Sequence, residues 1–175
     1  QSEYHDSYAN TFFAEQAASK DAAVPRLAID GGQLIISAVG TTANLQLEGM
    51  IKALPVTGGR GALVDLDGPG FAIVNTKGAA NGLVQLTADT LSNLGANSLL
   101  IGGVRTQGTD GMTILAGAKQ VVVDNAGSVL SGPEIILAAT EAVTVKAGSV
   151  IEGKGTFTGT VNDIAVGSAS VKGDG

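Results

Sequence analysis

The sequence predicts an all-β chain built as a parallel β-helix, a solenoid of about six coils with a short N-terminal helix or arm. Three observations lead there. First, a unit repeats: Ala126-Gly127-Ser128-Val129-Leu130-Ser131-Gly132 returns as Ala147-Gly148-Ser149-Val150-Ile151-Glu152-Gly153, 21 residues later, with five of seven positions identical. A period of about 20 to 50 residues marks solenoids and arrays, and a unit this short, with strands and no helix, fits one coil of a β-helix. Second, the flanking apolar clusters follow the repeat. Met112-Thr113-Ile114-Leu115 answers to Glu134-Ile135-Ile136-Leu137, and Val121-Val122-Val123 answers to Val143-Thr144-Val145. Third, the chain is 44% apolar but only 3% aromatic, with 26 Gly, which suits a narrow core of stacked aliphatic layers rather than a bulky one.

Taken in order, residues 1–26 are expected to form a helical or extended arm packing on the solenoid. Tyr4, Tyr8 and Phe12 fall at i, i+4 and i+8 and share one face if the arm is helical. Alanines support helix, and Val24 before Pro25 ends it. Such an arm has a physical motive, because an exposed end coil leaves strand edges free to pair.

Residues 27–175 are expected to be the parallel β-helix. Leu27-Ala28-Ile29 and Gln33-Leu34-Ile35-Ile36 open the first coil, and Asn44 to Gly49 closes it, with Leu47-Glu48-Gly49 resembling Ile151-Glu152-Gly153. Pro55 and Gly58-Gly59 mark a longer loop or irregular strand pair over 50–60. The second coil uses Ala62-Leu63-Val64-Asp65-Leu66 and Phe71-Ala72-Ile73-Val74, with a turn at Gly68-Pro69-Gly70. The third uses Leu83-Val84-Gln85-Leu86 and Leu99-Leu100-Ile101, with a helical turn between them suggested by Asp89, Leu91 and Leu94. The clear repeat supplies two more coils, with Ile136 and Val145 expected in the core. A sixth fades through Phe157, Val161, Ile164, Val166 and Val171. Runs such as Leu99-Leu100-Ile101 are continuous rather than alternating, as expected of parallel strands buried on both faces.

Charge narrows the partners. A net charge of -6 disfavours nucleic acid, whose phosphates need a basic patch, and disfavours docking on anionic membrane. No apolar run reaches the roughly 18 residues that a spanning helix needs. The absence of cysteine removes disulfides and thiolate metal sites. The start Gln1-Ser2-Glu3-Tyr4-His5-Asp6 is polar and acidic, unlike a signal peptide, and the chain is expected to be a piece of a longer polypeptide.

Few residues point to chemistry. Asp65 and Asp67 share one strand face. Solvent-facing, they would hold calcium or act as an acid/base pair, or simply be a solvated face; Asp65-Leu66-Asp67-Gly68 lacks the other ligands of a calcium loop. His5 is the only histidine, so a triad or histidine metal site has almost nothing to draw on. Arg60 and Arg105 lie near glycines and would bind a substrate carboxylate, be solvated or brace turns. No catalytic, cofactor-binding or metal-binding residue is therefore assigned, and no enzyme is expected.

Three stretches carry a resemblance: Leu91 to Arg105 (LSNLGANSLLIGGVR), Gly59 to Asp65 (GRGALVD) and Leu130 to Leu137 (LSGPEIIL). Together they resemble the filamentous-haemagglutinin-like large exoproteins of Gram-negative bacteria, along their long passenger region, from about Val24 onward. The resemblance implies a right-handed parallel β-helix, secretion to the cell surface by a two-partner route with a separate outer-membrane pore, and a role in adhesion to a host-cell receptor or glycan. The family's Asn-Pro secretion motif is missing, since all four prolines follow Val, Leu or Gly. Two alternatives accompany the non-catalytic adhesive rod: a β-helical protein that binds or cleaves polysaccharide, and a spacer stalk that delivers a C-terminal toxin. End-to-end self-association is a further expectation for free coil edges.

Overall fold

The computed structural model describes residues 8–38, 45–47, 51, 54–79, 82–108, 111–158, 164–167 and 172–174. The chain is all-β in class, with several parallel sheets and, among the described residues, two short helices. Helix α1 is Ala9–Ser19 and strand β1 is Gln33–Ser37. Strands β2 (Leu63–Asp67), β3 (Phe71–Val74) and β4 (Val84–Thr87) follow, then helix α2 (Ala88–Ser92). Strands β5 (Ser98–Ile101), β6 (Gly103–Gly108), β7 (Gly111–Ala116) and β8 (Gln120–Asp124) come next. The last are β9 (Leu130–Gly132), β10 (Ile135–Leu137), β11 (Ala142–Val145), β12 (Ile151–Gly153), β13 (Ile164–Gly167) and β14 (Lys172–Asp174).

From β5 to β12, leaving out β6 and β7, the strands fall to three sheets in turn and then to the same three again, whereas β1 and β2 share one sheet and β3 and β4 another. One parallel sheet runs β1-β2-β5-β10, a second runs β4-β3-β8-β11, and a third pairs β9 with β12. The repeat read from the sequence lies on itself in register, Leu130 opposite Ile151 and Val121 opposite Val143. Gly127 and Gly148, at the same place in each unit, both turn with positive φ (+87° and +79°), a conformation that L side chains resist. Buried Asn125 locks the two units together: its side chain donates to the Val150 carbonyl and accepts from the Val150 N–H.

The core follows from these registers. In the first sheet Leu34, Val64, Leu99 and Ile135 form one row, and Ile36, Leu66, Ile101 and Leu137 another. In the second, Val84, Phe71, Val121 and Val143 align, as do Leu86, Ile73, Val123 and Val145. The middle members of these rows form one apolar cluster, aliphatic but for Phe71, joined by Leu91 and Leu94 from the α2 region. Helix α2 begins where Thr87 accepts the Thr90 N–H, an N-cap that satisfies one orphan donor. It is held to the third sheet through Ser92, whose hydroxyl accepts from Ser131.

Several expectations change. Leu83 to Leu86 does not share a coil with Leu99 to Ile101: β4 lies beyond β3, on the side away from β8, while β5 pairs with β2. Met112 to Leu115 is not the counterpart of Glu134 to Leu137. It forms a hairpin with β6, whereas β10 stacks on β5. Similar composition misled here: Met112, Ile114 and Ile136 meet in one outer cluster, but Ile135 and Leu137 pack on the inner core. Ile164 and Val166 join β7 in a mixed sheet with antiparallel β14 rather than adding a coil. Val145 is 53% exposed, since no described strand covers β11 from outside, so it is no core residue; Ile136 does pack in a core cluster. Helix α1 forms; Tyr8 just before it and Phe12 and Phe13 on it are exposed, the two Phe rings meet edge to face at 5.5 Å, and only Ala17 is buried. Tyr4, His5, Glu48, Gly49, Val161 and Val171 lie outside the described residues.

Candidate functional site

The polar centre of the molecule lies on the outer face of the first sheet. Side chains alternate along a strand, so Val64 and Leu66 enter the core while Asp65 points the other way. That face is not open to water. The β6–β7 hairpin, inserted between β5 and β8, folds across it. Ile114 and Ala116 of β7 cluster with Leu100 and Ala138, and Met112, Ile136, Ile164 and Val166 pack around them. This explains the continuous run Leu99-Leu100-Ile101, in which Leu99 and Ile101 serve the inner core and Leu100 the outer cluster.

Asp65 and Arg105 sit at the edge of this outer cluster, 0% and 3% exposed. Arg105 Nε donates to Asp65 Oδ1 at 2.6 Å, and the Arg105 backbone N–H donates to Oδ2 at 3.0 Å. Gln33 Nε2 also donates to Oδ2, at 2.8 Å, and to the Arg105 carbonyl at 3.2 Å. The other end of the guanidinium donates to Ser98 Oγ at 2.6 Å. Ser98 in turn bonds the Glu134 carboxylate, whose Oε2 lies 4.0 Å from Arg105 NH1. Strands β1, β2, β5 and β6, with Glu134 just before β10, thus each lend one side chain to the network. No buried side-chain polar atom among the described residues lacks a partner.

The geometry corrects the sequence reading. Asp65 is not solvent-facing, and Arg105 is neither solvated nor a carboxylate receptor for a ligand, because the hairpin seals them against each other. Asp67 is half-buried, with its carboxylate against Gly117, where a Cβ would lie 2.1 Å from Oδ1. Asp65 and Asp67 therefore do not form one open acid pair. Ser98 has a carboxylate and a guanidinium beside it, yet it is fully buried, so no substrate atom reaches its hydroxyl. Arg60 does brace a turn: its guanidinium donates twice to Asp30 Oδ2, at 2.7 and 3.0 Å, and its N–H donates to Oδ1. The Arg60 side chain holds the Asp30 carboxyl below its ordinary range.

Sequence reasoning missed Gln33, Ser98, Glu134 and Asn125. The signal available was a polar residue breaking an apolar strand pattern, as Asp65 does between Val64 and Leu66. Outside the network, a surface hollow of about 300 Å³ runs beside Leu91, Leu99, Ser131 and Pro133, with Lys154 also on its wall. That is the lower end of small-molecule pocket size. No described group of His, Cys, Asp and Glu is placed to hold a metal ion, and no described helix is long and apolar enough to cross a membrane. Searched against known proteins, the chain matches no family model, no curated protein and no solved structure.

Proposed function

We propose that the chain is a non-catalytic segment of a secreted, filamentous-haemagglutinin-like surface exoprotein, folded as a right-handed parallel β-helix and used as an adhesive rod. The observation that supports this most is the strand dealing. β2, β5 and β10 fall in one sheet, β3, β8 and β11 in another, and β9 and β12 in a third, all parallel. A chain that returns to the same sheets every turn builds length by adding turns, and its stability is a sum over neighbouring turns. The buried charges fit the same reading, since their bonds are spent on holding a hairpin in place rather than on an open site. On this proposal the parent protein reaches the cell surface through an outer-membrane secretion pore, and the exposed sides of the rod meet a host-cell receptor or glycan.

The test is binding of the labelled chain to a panel of glycans and host-cell surfaces, with Asp65→Asn as a folding-sensitive control. Saturable binding to one glycan class or cell type is expected. Uniform absence of binding across the panel would overturn the adhesive role.

A further inference from the structure

The large apolar side chains left exposed among the described residues are not scattered. Apart from Leu115 and Val129, each lies either before β2 or within the β11–β12 turn. Ile29, Leu34 and Ile35 mark one end of the first sheet, and Val143, Val145 and Ile151 mark the opposite end of the other two.

The first sheet ends in two strand edges that complement each other. Its outer strands are β1 and β10, which run parallel, and neither has a described partner on its far side. On β1, Gly32 accepts from Leu63 and Ala38 donates to Asp67. Alternation then turns the backbone groups of Leu34 and Ile36 toward β2 and those of Gln33, Ile35 and Ser37 outward. On β10, Glu134 accepts from Leu99 and Ala138 donates to Ile101, so Ile135 and Leu137 bond outward. Set Ile135 opposite Leu34 and Leu137 opposite Ile36. Every outward N–H and C=O of one edge then meets a group of the other, and all four aliphatic side chains face the core side. This is the register already made within the chain by Leu34 on Val64 and by Leu99 on Ile135.

We propose that β10 of one copy pairs with β1 of a second copy, so that the first sheet continues head to tail from one molecule into the next. The occupant is a second copy because one molecule carries both halves of the contact, in matching direction and bonding parity, as a continuation of its own turn-to-turn interface. A head-to-tail contact is heterologous and does not close on itself, so it gives open strings rather than a fixed dimer. The inference rests on strand order and exposure alone and stands apart from the adhesive reading.

Two variants test it. Ile35→Pro removes an outward N–H from β1, and Leu137→Pro removes one from β10; edge positions of this kind accept proline without losing a bond inside the sheet. Val145→Lys and Ile35→Lys, at half-exposed positions, serve as second blocks should a proline variant fail to melt cooperatively. In sedimentation velocity the unaltered chain is expected to show a coefficient that rises with concentration. Each blocked variant alone is expected to stay monomeric, and an equimolar mixture of the two is expected to form a one-to-one complex and nothing larger. A monomer at every concentration would overturn the proposal. So would self-association of either blocked variant, which would mean a shared-end contact. Replacing Tyr8, Phe12 and Phe13 by Ser should leave the association intact; its loss would assign the contact to α1 instead.

Discussion

Replacing Asp65 by Asn tests the buried network directly, because the change is nearly isosteric and removes only charge and acceptors. Asp65 accepts three hydrogen bonds, from Arg105 Nε, the Arg105 N–H and Gln33 Nε2. An asparagine has one oxygen. If that oxygen faces Arg105 Nε, its NH2 group meets the Arg105 N–H and Gln33, donor against donor. Turning the amide over satisfies those two and sets NH2 against the guanidinium. Either way a guanidinium only 3% exposed loses its directly bonded counter-charge and keeps only the Glu134 carboxylate, 4.0 Å away. Breaking a buried pair by removing one partner costs about 3–5 kcal/mol. With a urea slope of about 2 kcal/mol/M, the unfolding midpoint should fall by roughly 1.5–2.5 M. The assay is urea denaturation followed by circular dichroism. The double variant Asp65→Leu/Arg105→Met, which replaces both charges by apolar groups, should recover most of the loss. A fall of less than about 0.5 M in the single variant, or a double variant as weak as the sum of its parts, would refute the argument that the pair is sealed and coupled.

Three further predictions concern other links. Gly102→Ala should be severe: φ is +99°, and an added Cβ would lie 2.0 Å from the Ala138 carbonyl oxygen. A loss of about 3 kcal/mol or more, read as a fall of roughly 6–12 °C in Tm, is expected; an unchanged melt would mean the backbone there yields freely. Val121→Ala and Val143→Ala alter the same repeat position, fully buried in one turn and 46% exposed in the next. The first should cost about 2 kcal/mol and the second about 1 or less in urea denaturation at low protein concentration, whereas equal costs would mean the last turn is covered. Arg60 lowers the Asp30 carboxyl below its ordinary 3.8, chiefly by side-chain hydrogen bonding. A depressed folded-state pKa contributes stability above the unfolded value that is lost as pH falls through the folded one. In an NMR titration Arg60→Gln should move the Asp30 midpoint up toward 3.8, and no movement would detach the two groups.

How much of this was legible depends on the range of the cause. The Ala126–Gly132 repeat was legible because its Ala-Gly-Ser turn and apolar rows are local, and the two copies do stack in register. The helical turn was legible from the spacing of Asp89, Leu91 and Leu94 for the same reason, although α2 itself ends at Ser92. The place of β4 was not. Its sequence, Val84 to Thr87, fits either side of β3, and only the chain path after Val74 decides which. The hairpin was hidden for another reason. Met112 to Leu115 and Ile135 to Leu137 are alike in composition, yet only Met112, Ile114 and Ile136 share the outer cluster while Ile135 and Leu137 pack on the inner core, so resemblance in sequence did not record a shared place. Asp65 was read as solvent-facing because alternation says which face a side chain takes but not what covers that face.

The covering hairpin also explains why charges are buried there at all. Leu100, Ile114, Ala116 and Ala138 attract the hairpin without fixing where along the sheet it lands, since apolar burial is non-directional. A slip of one residue in β6 would swing Arg105 to the opposite face and bring Val104 or Thr106 over Asp65. That slip would leave a carboxylate buried with no counter-charge, a state costing several kcal/mol, whereas the native register gives Arg105 bonds to Asp65, Ser98 and the Val64 carbonyl. Gly102 closes the base in the same sense: its carbonyl accepts from both Gly117 and Ala118, tying the hairpin's exit to its entry. The ion pair therefore acts as a register lock on an insertion between β5 and β8, and both strands keep their parallel neighbours, β2 and β10 for β5 and β3 and β11 for β8.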